Sequence, residues 1–191
     1  MSQTKREVIK LIILGNQAVG KTSIRNAYLN TDFNEETLST VGYNKVESKF
    51  KLDDGKEIKL AIWDTAGQER FHSVALSSLK NAQGIILVFD VANKKSFNDL
   101  NMWLSDIKNV TDQVSIILFG NKCDMPNREV SKEEAEEFAK NNKIPYIETS
   151  AKLKININEG FSIVANDAYK KYGISIGLTL KRIRKKKKSK C

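Results

Sequence analysis

The run Gly15-Asn16-Gln17-Ala18-Val19-Gly20-Lys21-Thr22 closes a glycine-bounded loop on an ammonium and a hydroxyl. Glycines let a backbone wrap an anion. A phosphate held there would meet the N–H groups of the loop and of the following helix N-terminus. Lys21 would set its charge on the β- and γ-phosphates, and the Thr22 hydroxyl would ligate Mg²⁺. Ser23 extends the same segment. The pattern GxxxxGK[ST] carries weight only between a strand and a helix. That context is present: Val8–Leu14 is a β-branched apolar run, and Lys21–Leu29 reads as a helix.

Three further loops carry chemistry. Asp64-Thr65-Ala66-Gly67-Gln68 follows a predicted strand. A carboxylate there, across from Thr22, can hold Mg²⁺ through water. Gly67 lacks a side chain, so its N–H can approach a γ-phosphate. Gln68 can orient a water for in-line attack, which makes Gln68 and Lys21 the catalytic candidates. Asn121-Lys122-Cys123-Asp124 selects the base. Guanine shows two donors on one edge, N1–H and the 2-amino group, and one carboxylate, Asp124, can accept both. Adenine offers neither donor. Asn121 would tie neighbouring loops together, and the stem of Lys122 would lie over the ring. In Thr149-Ser150-Ala151-Lys152, backbone N–H groups, notably that of Ala151, would meet the guanine O6. Thr40, in a polar stretch, would add a second hydroxyl to Mg²⁺.

The elements that must position these loops alternate along the chain. Val46–Leu52 and Glu57–Asp64 flank Asp53-Asp54-Gly55 and read as a hairpin. Gly84–Asp90 and Val114–Asn121 are buried strands, and Ile144–Thr149 is a short last one. Ser96–Val110 repeats apolar residues every three to four positions, as a helix does. Ser131 and Glu134 form a capping box before Glu133–Asn141. Ile157, Phe161, Val164, Ala168 and Tyr172 mark a final helix. The order β-α-β-β-α-β-α-β-α-β-α predicts an α/β fold. Its sheet is mixed and six-stranded, with one antiparallel strand and about five helices on both faces. In such a sheet ligands bind beyond the carboxyl ends of the strands, where all four loops fall.

Composition narrows the classes further. The chain has 191 residues, 40% of them hydrophobic and 29% charged, which suits one globular domain with a core. Its apolar runs are too short to cross a bilayer, and Met1–Lys10 does not read as a secretory signal. Two cysteines and one histidine, far apart, make neither a disulfide scaffold nor a zinc site. The net charge of +9 is concentrated at one end. Residues 173–191 hold eight basic residues and no acid, leaving 24 basic and 23 acidic in 1–172. A nearly neutral body argues against nucleic acid as a partner.

Together these segments resemble the Ras-superfamily small GTPases, most of all the Rab branch. Gly15–Thr22, Trp63–Phe71, Asn121–Asp124 and Glu148–Lys152 stand in the family's order and spacing, over about Lys5–Tyr172. The resemblance implies a P-loop G domain over 1–172 that hydrolyses GTP to GDP slowly and serves as a switch in vesicle trafficking. It implies that Phe33 stacks edgewise on guanine and that Thr40 senses the γ-phosphate. Switch loops at about 34–45 and 66–79 would meet an exchange factor, a GTPase-activating protein and effectors. A monomer in the cytoplasm, at the cytoplasmic face of a membrane, is implied as well. Several positions depart from the Rab pattern. Gln17 replaces the usual Ser, Val41-Gly42-Tyr43-Asn44-Lys45 follows the switch threonine, and Ser78-Leu79 replaces a Tyr pair. Gln17 lends support to an alternative, a module that binds GTP with little intrinsic hydrolysis.

Residues 173–191 read as a flexible extension. Lys181–Lys190 is polybasic and is followed by Cys191. Each basic residue near an anionic leaflet contributes about 1 kcal/mol. A lipid on Cys191 would supply the second signal that stable anchoring requires. Cys191 fits neither a CaaX box nor a double-Cys ending. A chain trimmed after prenylation and a chain shortened at that end both fit the pattern.

Overall fold

The structure is a computed structural model that describes residues 7–31, 43–65, 79–111 and 113–188. β1 (Val8–Gly15) leads through a loop into α1 (Lys21–Tyr28). β2 (Tyr43–Lys51) and β3 (Glu57–Thr65) form the hairpin, and β4 (Gly84–Asp90) follows. Then come α2 (Lys94–Asn98), α3 (Leu100–Val110), β5 (Ser115–Asn121), α4 (Lys132–Asn142), β6 (Tyr146–Glu148) and α5 (Ile157–Lys188). The sheet order is β2-β3-β1-β4-β5-β6, and β2–β3 is its antiparallel pair. β1 therefore pairs with β3 on one side and β4 on the other, both parallel. This is the point where the winding reverses and a crevice opens at the carboxyl ends of the strands.

Side chains alternate across β1 with the period of a strand. Ile9, Leu11 and Ile13 pack with Ile24 of α1 and with Phe161 and Val164 of α5. Ile12 and Leu14 join Leu100, Trp103 and Ile107 of α3 and Ala135 of α4 on the opposite face. Helices thus cover both faces, as expected. The helix that the predicted order puts between β3 and β4 falls in residues outside the described ones.

Element boundaries moved for identifiable reasons. The expected helix Ser96–Val110 begins earlier, because the Asn93 side chain accepts from the Ser96 N–H and caps α2. β6 is shorter than Ile144–Thr149. Pro145 has no N–H for the ladder, although its carbonyl still accepts from the Leu118 N–H at 2.9 Å. Half of the expected capping box forms: Ser131 Oγ accepts from the Glu134 N–H at 3.1 Å, while the Glu134 carboxylate takes the Lys94 ammonium. The hairpin turns through Gly55 at φ 85°, a left-handed conformation that suits glycine. α5 stays helical to Lys188, past the boundary expected at 172. Leucine, lysine and arginine have good helix propensity, which favours continuation from Leu178 onward, whereas Gly173 and Gly177 and the like charges of the basic run oppose it. Among the described residues, no helix is long and apolar enough to cross a membrane.

Gly160 of α5 admits the Phe119 ring, since a Cβ there would lie 2.2 Å from Phe119 Cζ. Helix propensity alone favours Gly160→Ala by about 1 kcal/mol. Overpacking costs about 1–3 kcal/mol and should win here. A urea melt should therefore show a lower midpoint for Gly160→Ala. A raised midpoint would mean that Phe119 has room to yield.

Candidate nucleotide site

The site is built outward from the end of β1. A Cβ on Gly15 would fall 2.2 Å from the Val88 carbonyl oxygen of β4, so the chain passes only as glycine. The loop turns through Ala18 at φ 62° and Gly20 at φ 95°. Val19 is buried, whereas Gln17 and Ala18 are exposed. The N-cap residue of α1 is Gly20, which has no side chain to cap the helix. A helix start of this kind is the usual place for an anion.

Lys21 is buried beneath this loop. Its ammonium donates to the Gly15 and Asn16 carbonyls at 2.9 and 2.7 Å. Burial lowers its pKa from the usual lysine value to about 8, and the charge of Asp64 opposes that shift. Asn16 is itself held, donating to Asp99 Oδ2 at 2.6 Å and accepting from Trp103 Nε1 at 2.8 Å. None of these contacts to α3 and its start is marked by a sequence motif.

β3 runs beside β1 and sets Asp64 opposite Ile13. Asp64 Oδ2 accepts from the Thr22 hydroxyl at 2.7 Å. Burial pushes the Asp64 carboxyl up, while Thr22, Arg25 and Lys21 pull it down. Asp64 Oδ1 is buried with no hydrogen-bond partner among the described residues. An orphaned carboxylate oxygen beside a helix-start hydroxyl suits a hydrated divalent cation. Arg25 also reaches Asp64 Oδ2, at 3.3 Å. No motif in the sequence marks Arg25. The available signal was its spacing of three from Thr22, which puts both on one helix face. Ser23 is half-buried in the same turn.

Asn121, at the end of β5, joins three loops. Its Nδ2 donates to the Val19 carbonyl at 2.8 Å. Its Oδ1 accepts from Thr149 Oγ1 at 3.3 Å and from the Ala151 N–H at 3.2 Å. The Ala151 N–H, read from the sequence as a donor to the base, thus already has an acceptor. A Cβ on Gly20 would lie 2.4 Å from Asn121 Nδ2, so the second loop glycine is required by this contact as well as by its φ. Lys122 sits at φ 65° with its ammonium 2.6 Å from Asp90 Oδ2. Asp124 and Cys123 are half-buried, and burial raises the Cys123 thiol pKa, as suits an unreactive residue. Ser150 is buried and its Oγ accepts from the Leu153 N–H at 3.0 Å, while Lys152 is exposed. Phe33, Thr40, Gly67 and Gln68 lie outside the described residues, as do 34–42 and 66–78 of the two switch ranges.

The loop Gly15–Thr22 at the reversal point of a mainly parallel sheet, with Asn121–Asp124 two strands away, defines a P-loop nucleotide-binding domain. The model of the Ras family matches residues 10–170. Rab-13 of Rattus norvegicus is 39% identical over 175 residues, covering 91% of this chain and 86% of that protein. Rab-10 of Diplobatis ommata is 42% identical over 168 residues, covering 86% and 82%. Human Rab-8B is 40% identical over 169 residues, covering 87% and 81%. The chain belongs to the Ras family and is Rab-like. It is a GTPase that takes GTP and GDP with Mg²⁺ and acts as a switch in vesicle trafficking. Exchange factors, GTPase-activating proteins and effectors are its general classes of partner.

The role expected of Lys21, meeting phosphate, needs the ammonium form. In nucleotide-free protein that form is lost above about pH 8, so binding at higher pH must take up a proton. GDP affinity should be nearly flat below pH 7.5 and fall by up to about tenfold per pH unit between about 8 and 9.5. Fluorescence titration with a labelled GDP checks this. A flat profile to pH 9.5 would show that Lys21 keeps its charge without phosphate.

Proposed function

We propose that the loops after β1, β3, β5 and β6 form one guanine-nucleotide pocket with a division of labour. Gly15, Gln17, Ala18, Val19 and Gly20 present backbone to the phosphates, continued by Lys21, Thr22 and Ser23. Thr22, Thr40 and Asp64 hold Mg²⁺, which when bound neutralises charge on the β- and γ-phosphates. Asp124 accepts from the guanine edge, with the Lys122 stem over one ring face and Phe33 edgewise on the base. Ser150, Ala151 and Lys152 close the base side. The observation that best supports a single pocket is the Asn121 carboxamide, which bonds the phosphate loop through Val19 and the last loop through Ala151.

Thr40 and Gly67 contact the γ-phosphate, and Gln68 orients the attacking water while Lys21 steadies the transferred charge. Losing the γ-phosphate frees the loops at about 34–45 and 66–79, which is how partners distinguish the two states. Replacing Gln68 by Leu should leave GTP affinity within about twofold and slow single-turnover hydrolysis by at least about tenfold. Hydrolysis at the unmodified rate would remove Gln68 from this role. A barely detectable rate in the unmodified protein would favour the binding-module alternative that Gln17 supports.

We further propose that 1–172 is the working domain, a monomer, and that 173–191 attaches it to the cytoplasmic face of a membrane. The charge arithmetic supports this, because the excess positive charge lies in the tail. A lipid on Cys191 plus the basic run provides two weak signals that act together. In fractionated cells, Cys191→Ser should move most of the protein from the membrane pellet to the supernatant. An unchanged distribution, or a bare thiol on the cell-derived protein by mass spectrometry, would exclude lipid at Cys191.

A further inference from the structure

Arg25 belongs to none of the nucleotide motifs, yet its guanidinium lies against the pocket's buried carboxylate. Its Nη1 is 3.3 Å from Asp64 Oδ2, and the two side chains are 12% and 1% exposed. The guanidinium is fixed in place: Nε and Nη2 both donate to Asn26 Oδ1, at 3.2 and 2.8 Å. That leaves Nη1 directed at Asp64. The same Asp64 oxygen accepts the Thr22 hydroxyl. Thr22 and Arg25 share one face of α1 by their spacing of three. So the hydroxyl and carboxylate assigned above to Mg²⁺ already face a permanent monocation held by protein.

Charge balance gives this arrangement a consequence. Without metal and without Arg25, the carboxylate would face a polyphosphate with only Lys21 nearby, an ammonium that the phosphates also claim, and like charges repel strongly where water is excluded. A guanidinium cancels that carboxylate and cannot lose its proton. When a divalent cation enters, the same guanidinium repels it or must be displaced from Asp64. Arg25 therefore favours the metal-free nucleotide complex relative to the metal-bound one.

We propose that Arg25 is a resident counter-cation for Asp64 that weakens Mg²⁺ binding and lets the pocket retain nucleotide when the metal is scarce. The inference rests on Thr22 and Asp64 being the metal residues, as assigned under the proposed function.

The test uses the full chain loaded with fluorescent GDP. Release is timed across a series of free Mg²⁺ concentrations set by chelator, for the unmodified protein, Arg25→Gln, Arg25→Lys and Asn26→Ala. Arg25→Gln should lower the Mg²⁺ midpoint by about tenfold and widen the ratio of metal-free to metal-saturated release by a similar factor, as expected of a mostly buried ion pair. Arg25→Lys keeps the charge and should stay within about threefold of the unmodified midpoint. Asn26→Ala frees the guanidinium without removing it and improves helix propensity, so it should fold. It should shift the midpoint the same way by about threefold. An unchanged midpoint in Arg25→Gln overturns the proposal. So does an equal shift in Arg25→Lys, or, should Arg25→Gln fail to fold, an unchanged midpoint in Asn26→Ala. Release from the unmodified protein that ignores Mg²⁺ altogether is a different failure, of the metal-site assignment itself, and it takes this inference with it.

Discussion

Two ionisable groups, Lys21 and Asp64, are buried at the carboxyl ends of neighbouring strands, and burying charge is costly unless it is paired. Much of the surrounding structure compensates for that cost. Lys21 is given two carbonyls by the loop that wraps it. Asp64 is given the Thr22 hydroxyl and the Arg25 guanidinium, and one of its oxygens is left without a described partner. The compensation is incomplete, as the pKa displacements of both groups indicate. A phosphate above Lys21 and a cation beside Asp64 would supply what is lacking. The protein thus holds part of its ligand's electrostatics in advance, which suits a pocket that must grip a highly charged nucleotide and later let it go.

Holding those charges in register requires that distant loops be fixed to one another. Backbone hydrogen bonds join the loops after β5 and β6, from the Cys123 N–H to the Thr149 carbonyl at 3.0 Å, and a side chain brings in the loop after β1 as well. That side chain is the Asn121 carboxamide, with its amide on Val19 and its carbonyl on Thr149 and Ala151. Asn16 does the same from the other side, joining the phosphate loop to Asp99 and Trp103. Both asparagines use donor and acceptor ends at once, which neither a carboxylate nor an ammonium could do. The glycines complete the arrangement. Gly15 and Gly20 are small where a carbonyl of β4 and the Asn121 amide press closest.

Much of this was legible from residue order alone. Apolar runs bounded by glycine gave the strands, and their alternation with helical patterns gave a mixed sheet with ligands at its carboxyl edge. Residues such as Lys21, Thr22, Asp64 and Asn121, at the ends of strands and the start of a helix, were found because chemistry at that edge demands their types. Boundaries were harder to read. α2 started early on the Asn93 cap, and β6 was cut short by Pro145, since a cap or a missing N–H acts over only one or two residues.

The sequence by itself determined which groups gather at the sheet's edge, because strand periodicity and loop spacing are local properties of the chain. The opposition of Asp64 to Thr22 and the tying role of Asn121 were legible there too, but tertiary structure decided the individual contacts that no motif marks. Arg25 reading Asp64, Trp103 reading Asn16, and the Ala151 N–H going to Asn121 each join positions separated by tens of residues. Such pairings depend on the directions in which side chains leave packed elements. No spacing along the chain encodes those directions.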